Sequence, residues 1–252
     1  MVLNEEAFDF ARLKVVVFDV DGTLYRQGPV RRAMCLRLLG ETLRRPAAGW
    51  QAVRTLRAYR RAQEDLRTHH GGDIAGEQIR LTCARVGSNP PMVAACVERW
   101  MQQEPLKFLA ANAWSGLTAF LGVCRARGLR LAALSDYPAA AKLSALEIAQ
   151  YFDVILSAQS PDVDRFKPDP RGLQVVLESM DVSPHECLYV GDRAEVDAAA
   201  AAAAGIRCVI VSRRAKSAAS GYTTVTSYTE LQHRLFGNAH VPHRGVVIPS
   251  ES

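Results

Sequence analysis

Asp19 and Asp21 stand two positions apart at the end of the apolar run Val15-Val16-Val17-Phe18, in the string Asp19-Val20-Asp21-Gly22-Thr23. In an extended chain residues i and i+2 share a face, so the two carboxylates can converge on one reacting centre. Gly22 frees the backbone to turn sharply straight after them. An Asp-Gly pair after an apolar run is also an ordinary turn signal, and the stretch takes on catalytic meaning only from its company.

That company consists of three further stretches, each an apolar strand running into a polar residue. Leu129 to Leu134 ends in Ser135-Asp136. Val154-Ile155-Leu156-Ser157 leads into the loop Asp164-Arg165-Phe166-Lys167-Pro168-Asp169-Pro170, and Cys187-Leu188-Tyr189-Val190 ends in Gly191-Asp192, followed by Asp197. Ligands of an open parallel sheet bind beyond the carboxyl ends of its strands. A nucleophile candidate, a hydroxyl, a lysine and an acidic pair are thereby directed to one crevice.

In that order the four stretches resemble the haloacid dehalogenase superfamily, specifically its phosphatase branch with a helical cap inserted after the first motif. Asp19 to Thr23 matches the family's Asp-x-Asp-Gly-Thr, Ser135 the hydroxyl that closes the next strand, Lys167 the third motif, and Gly191-Asp192 with Asp197 the fourth. Two positions depart from the pattern. Asp136 stands where many relatives carry Asn beside the phosphate, and Asp164 where Gly is usual before the lysine loop.

The resemblance implies an α/β fold with a Rossmann-like doubly wound parallel sheet, an aspartyl-phosphate formed on Asp19, and Asp21 as the proton carrier. It implies Mg²⁺ held by the side chains of Asp19 and Asp192 and the backbone carbonyl of Asp21, with Asp197 as a supporting or water-mediated partner. Ser135, Lys167, Thr23 and Asp136 are then the phosphate contacts. Charge makes the same demand, because a carboxylate approaching a phosphate dianion meets roughly 4 kcal/mol of repulsion per charge pair at about 4 Å and an effective dielectric near 20. Mg²⁺ and Lys167 would offset it. An acid must also be able to hold a proton, which keeps the Asp21 carboxylate itself off the metal.

Around these motifs, strand and helix patterns alternate after residue 114. Leu117, Phe120, Leu121 and Cys124 have helical spacing with Gly128 behind them as a cap. A helix is expected over 139–150, another carries Leu173, Val176, Leu177 and Met180, and Ser183-Pro184-His185-Glu186 specifies one brief helical turn. The seven alanines 198–204 predict a helix lying close to the sheet, with strands at 206–211 and 223–226 and a helix at 228–236. From Tyr25 to Ala110 the pattern is helical throughout. The expected division is a catalytic core of residues 1–25 and 111–236, a helical cap of 26–110, and a poorly ordered tail of 237–252.

Within the expected cap, residues 26–67 hold eleven arginines against Glu41, Glu64 and Asp65, in a chain whose overall net charge is +5. A solvated helix face accounts for such density; alternatively some of these arginines close over an anionic substrate, a paired change of Arg60 and Arg61 being the proposed probe. No aromatic-interleaved groove or recognition motif supports nucleic acid as a partner. His69-His70-Gly71-Gly72 marks a loop, and Trp50, Trp100 and Trp114 are expected to pack in the core or cap. The six cysteines have neither zinc nor disulfide spacing, which predicts reduced, mostly buried thiols in a cytoplasmic protein with no membrane-spanning run.

The expected activity is Mg²⁺-dependent hydrolysis of a small phosphorylated metabolite. A phosphosugar mutase of the β-phosphoglucomutase type shares every core motif and differs only in releasing no net phosphate. A phospho-accepting receiver module would be about half this length and lack the Asp-x-Asp-Gly-Thr run. Displacement of halide needs no proton for its leaving group, so the second Asp argues against it. Oligomeric state is not written in the sequence.

Overall fold

The computed structural model describes residues 12–68, 72–213 and 221–237. Strands β1 (Val15–Phe18), β2 (Arg130–Ser135), β3 (Val154–Ser157), β4 (Cys187–Gly191), β5 (Arg207–Val211) and β6 (Tyr222–Val225) form one sheet in the order β3-β2-β1-β4-β5-β6. Every neighbouring pair is parallel. That order is the doubly wound one, and it reverses between β1 and β4, where the first and fourth motifs end.

Parallel strands covered on both faces read as unbroken apolar runs, and β1 is one. Val16 and Phe18 join a layer built on α5 (Leu117–Ala126), α6 (Ala140–Ala145) and α9 (Tyr228–Phe236), while Val15 and Val17 join a second layer built on α7 (Arg171–Met180) and α8 (Ala199–Ala203). Phe18 sits 5.9 to 6.4 Å, ring centre to ring centre, from Phe152, Phe120 and Tyr228. Full burial of each such side chain is worth roughly 1.5–3 kcal/mol. This packing holds the end of β1 in place.

The alanine run does lie against the sheet. A π-helical turn, Ala194–Ala198, leads into α8, and Ala200 and Ala201 are fully buried in the second layer. The helix expected over 139–150 is shorter: α6 stops at Ala145, Glu147 takes a left-handed backbone conformation that breaks it, and a separate 3₁₀ turn covers Ala149–Tyr151. Ser183 and Glu186 complete their capping box around a three-residue turn, Pro184–Glu186.

Between β1 and β2 the described chain is helical: α1 (Gln27–Arg44), α2 (Pro46–Leu66), α3 (Ile74–Val86) and α4 (Pro90–Val97), followed by π and 3₁₀ turns over Glu98–Phe108. The chain leaves and re-enters the sheet side by side, joined by an antiparallel bridge between Tyr25 and Ala113. Trp100 is buried and Trp114 donates to the Gly22 carbonyl oxygen at 2.9 Å. Trp50 corrects the expectation of packing, being 61% exposed. His69-His70 and residues 238–252 lie outside the described residues. Among the described residues no helix is long and apolar enough to cross a membrane.

All six cysteines are free thiols; Cys124, Cys187 and Cys208 are buried, Cys83 and Cys96 half-buried, and Cys35 is exposed. Burial pushes the Cys124 and Cys187 thiols up to about 12, and Cys208 upward as well. Only thiolates attack disulfide reagents. The expected outcome with dithiobis-nitrobenzoate at pH 8 is fast titration of Cys35, slow titration of Cys83 and Cys96, and release of the remaining three only in denaturant. Peptide mapping that found Cys187 labelled early in native protein would contradict this packing.

Candidate active site

The ends of β1, β2 and β4, with the loop after β3, bring the sequence-marked residues together. Asp19, Asp21, Ser135, Asp136, Lys167 and Asp192 line one cavity of about 440 Å³ whose far side is lined by α1, α2 and the turn after α4. Two glycines permit the approach. Gly22 has φ +108°, and a Cβ on it would fall 2.1 Å from an Asp192 carboxylate oxygen; a Cβ on Gly191 would fall 2.5 Å from the Cβ of Asp197 and 2.7 Å from its Oδ2. Any side chain at either position would push an acid out of the cluster.

Asp19 is 5% exposed. The Lys167 ammonium donates to its Oδ1 at 2.6 Å and the Thr23 hydroxyl to its Oδ2 at 2.9 Å. Lys167 also donates to Asp197 Oδ1 at 2.7 Å and to the Tyr189 hydroxyl at 3.1 Å. Asp197 is fully committed: Tyr189 donates to it at 3.0 Å, and the backbone N–H groups of Asp192 and Arg193 at 3.1 and 3.0 Å. The structure therefore places Asp197 as the anchor of Lys167 and of the turn that carries Asp192.

The charges are unbalanced. Asp19, Asp192 and Asp197 each offer a carboxylate oxygen within 4.8 Å of the others, and Lys167 is the cation in hydrogen-bonding contact with two of them. Burial, with the neighbouring Asp197 charge, pushes Asp19 up to about 7 although Lys167 pulls the other way. Burial, then the charges of Asp19 and Asp197, pushes Asp192 up to about 8. Asp197 stays below the usual range, because Lys167 and the backbone donors outweigh its burial. The Asp192 carboxylate makes no hydrogen bond or ion pair among the described residues. Clustered oxygen donors short of positive charge suit a hard divalent cation, and Asp19 and Asp192 are the two not already saturated by fixed donors.

Asp21 points into the same cavity with different partners. Lys142 of α6 donates to both its oxygens at 2.6 and 2.8 Å, and the Tyr25 hydroxyl donates at 2.5 Å. Burial would raise the Asp21 carboxyl, but these contacts outweigh it and hold it below the usual range. In this arrangement Asp21 is a carboxylate at neutral pH, ready to accept a proton; to donate one it must loosen from Lys142.

Ser135 is buried beside the cavity, and the Tyr137 N–H lies 3.4 Å from its hydroxyl oxygen. Asp136 faces α2, not open solvent: Gln63 donates to its Oδ2 at 2.7 Å and Arg67 at 3.2 Å, while its Oδ1 is buried without a partner. Arg67 also donates to the Lys167 carbonyl oxygen. Asp164, the other departure, accepts from the N–H groups of Asp73 and Ile74 at 2.8 and 2.7 Å and so caps α3 from the lysine loop. Both unusual acids tie the helices to the sheet.

Lys142, Tyr25, Gln63, Arg67 and Arg193 were not singled out by motif. One sequence signal was present for Lys142, a solitary charge in the apolar string Pro138-Ala139-Ala140-Ala141-Lys142-Leu143. Of the eleven arginines in 26–67, Arg31, Arg60 and Arg67 line the cavity, whereas Arg61 points elsewhere.

Comparison with known proteins identifies the fold and the family. Residues 13–205 match the haloacid dehalogenase-like hydrolase family. The phosphoglycolate phosphatase of Rhodospirillum rubrum is 28% identical over 217 residues, 79% of each chain, and that of Escherichia coli 30% identical over 214 residues, 77% of this chain and 79% of that one. Among solved structures, a 2-haloacid dehalogenase from Pseudomonas syringae aligns with a TM-score of 0.63 at 19% identity, covering 88% of this chain and 98% of that one. A HAD phosphatase from Thermococcus onnurineus aligns at 0.58 and 19%, covering 89% and 99%. The structural matches carry the fold alone, and the sequence matches carry the family. This chain belongs to the haloacid dehalogenase-like hydrolases, and within that family it is a phosphatase.

Proposed function

We propose that the protein is a Mg²⁺-dependent phosphatase of a small phosphorylated acid or related metabolite, working through an aspartyl-phosphate on Asp19. The observation that carries this is the placement of Asp21. A second carboxylate shares the cavity with Asp19 and is held as a carboxylate by a lysine and a tyrosine, which suits a group that takes and returns a proton. The phosphoglycolate phosphatases among the relatives make a short phosphorylated acid the first substrate to try.

In the proposed cycle an Asp19 carboxylate oxygen forms a bond to phosphorus as the bond from phosphorus to the leaving oxygen breaks. Asp21, protonated on substrate binding, gives its proton to that oxygen. Water then attacks phospho-Asp19, Asp21 takes the water's proton, and phosphate departs. Lys167 and Ser135 face the phosphoryl oxygens, and Thr23 orients Asp19. Asp19, Asp192 and the Asp21 carbonyl would hold Mg²⁺, which when bound offsets the charge of the phosphate dianion. Residues 26–110 act as the cap and residues 1–25 and 111–236 as the core in this reading.

The test is a phosphate-release screen over about a hundred phosphorylated metabolites, with and without Mg²⁺. Release that is divalent-dependent for at least one ester supports the reading. Isomerisation of a sugar phosphate without phosphate release would assign a mutase, and turnover that survives thorough chelation would remove Mg²⁺ from the scheme.

A further inference from the structure

The cavity is built for more than a two-carbon acid. Sites of roughly 300–1,000 Å³ enclose drug-sized ligands, and this one, about 440 Å³, extends from the carboxylates into the helical segment. One wall is apolar: Met34 and Leu38 from α1, Leu56 from α2, and Trp100 and Met101 from the turn after α4. A leaving group as small and polar as glycolate would leave that wall wet or empty.

Two arginines on the same cavity stand outside any ion pair among the described residues. The helical segment pairs its other cavity-side and inter-helix arginines: Arg37 with Glu104 at 2.7 Å, Arg99 with Glu41 at 3.3 Å, and Arg67 with Glu64 and Asp136. The guanidinium groups of Arg31 and Arg60 make no ion pair or hydrogen bond among the described residues. Arg31 is held below the usual guanidinium range by burial and by the charge of Arg60, which outweigh the pull of Asp192. Two like charges facing one cavity raise its affinity for an anion. Arg193, 3.9 Å from Asp136, adds to the positive rim.

We propose that the substrate's leaving group is amphipathic, carrying an apolar body that lies on Met34, Leu38, Leu56, Trp100 and Met101 and a second anionic group that faces Arg31 and Arg60. The inference rests on the phosphatase reading and narrows it: the preferred ester is a long phosphorylated acid, with phosphoglycolate a poor member of its class. Apolar contact and carboxylate recognition act together, so neither a long neutral ester nor a short acid satisfies the site.

The experiment is a homologous series of ω-phosphonooxy-alkanoic acids, beginning with phosphoglycolate, together with the methyl ester of each. kcat/KM is expected to rise roughly three- to fourfold per added methylene until the wall is covered, and each long acid is expected to exceed its methyl ester by about tenfold or more. Arg60→Ala and Arg31→Ala are each expected to erase most of the acid-over-ester preference, and Arg61→Ala, off the cavity, to leave it as in wild type. Binding is read separately in the Asp19→Asn protein, where the long acids should slow alkylation of Cys35, which lines the same cavity.

A protein that hydrolyses nitrophenyl phosphate through Asp19 yet prefers phosphoglycolate to every longer acid overturns this inference alone. So does an acid-to-ester ratio that Arg60→Ala leaves unchanged. A protein inert toward every ester whose Cys35 is nevertheless protected in order of chain length keeps the cavity's preference for long acids and overturns the phosphatase reading, and with it the assignment of that ligand as a leaving group.

Discussion

Replacing Asp19 with Asn is expected to lower phosphate release by roughly 10⁴- to 10⁶-fold, the range found when a covalent nucleophile is removed. The amide is a poor nucleophile and cannot form the acyl phosphate. Its oxygen can still accept from Lys167 and its NH₂ group can face Thr23, so the local packing survives. The same change should stabilise the protein. Asp19 is raised to about 7 from an ordinary 3.8, so the folded state holds a proton that the unfolded chain gives up. Its favourable contribution is complete below pH 3.8 and is lost as pH rises through about 7. At pH 8 without divalent ions the Asn variant should therefore melt above wild type, by roughly 2–4 °C for each kcal/mol recovered. Added Mg²⁺ should narrow the gap by binding the wild-type acids. Full activity in the variant would refute the covalent scheme, and a lower melting point at pH 8 would refute the charge account.

Asp21→Asn should cost about 10²- to 10⁴-fold in kcat with an alkyl phosphate, the usual range for loss of a general acid–base group. Its effect should depend on the leaving group. A nitrophenolate leaves without a proton, so phospho-Asp19 should still form from nitrophenyl phosphate, while its hydrolysis, which needs a base for water, slows. Phosphoenzyme should accumulate and be captured by rapid quenching and mass spectrometry of the peptide bearing Asp19. The ion pair with Lys142 sharpens this expectation. Because Lys142 and Tyr25 hold Asp21 below the usual carboxylate range, the base needed for the second step is present across neutral pH. Equal losses for alkyl and nitrophenyl esters, with no trapped phosphoenzyme, would remove Asp21 from both steps.

The sheet was legible because each strand is a short apolar run that stops at a functional residue. Val15–Phe18, Arg130–Ser135 and Cys187–Gly191 end where Asp19, Asp136 and Asp192 begin to face the cavity. Three of the site residues that no motif marks come from a helix or its cap. Gln63 lies on α2, Arg67 caps its C-terminus and Lys142 lies in the short α6; their polarity reads as solvent-facing until the tertiary structure turns them inward. Adjacent arginines show the same limit. Arg60 and Arg61 are equivalent in composition, yet a helix sends neighbours about 100° apart, and only Arg60 reaches the cavity. At Trp50 the opposite holds: its size argues for packing, but its place near the start of α2 puts it at the surface.

The position of β1 in the middle of the sheet has a consequence for synthesis. Val15 aligns with Arg130 on one side and with Cys187 on the other, so the first strand to leave the ribosome is among the last to be fully paired. At about 5–20 residues per second, roughly ten to thirty seconds separate the emergence of the two partners' far end from that of β1. Throughout that interval the run Val15–Phe18, later wholly buried, is an unpaired apolar edge. The helices of 27–97 depend on local contacts and form early. The nascent chain thus carries a folded helical unit on an exposed aggregation-prone stem, and slower synthesis at low temperature or a holdase that covers the stem should govern its yield more than the stability of the finished enzyme does.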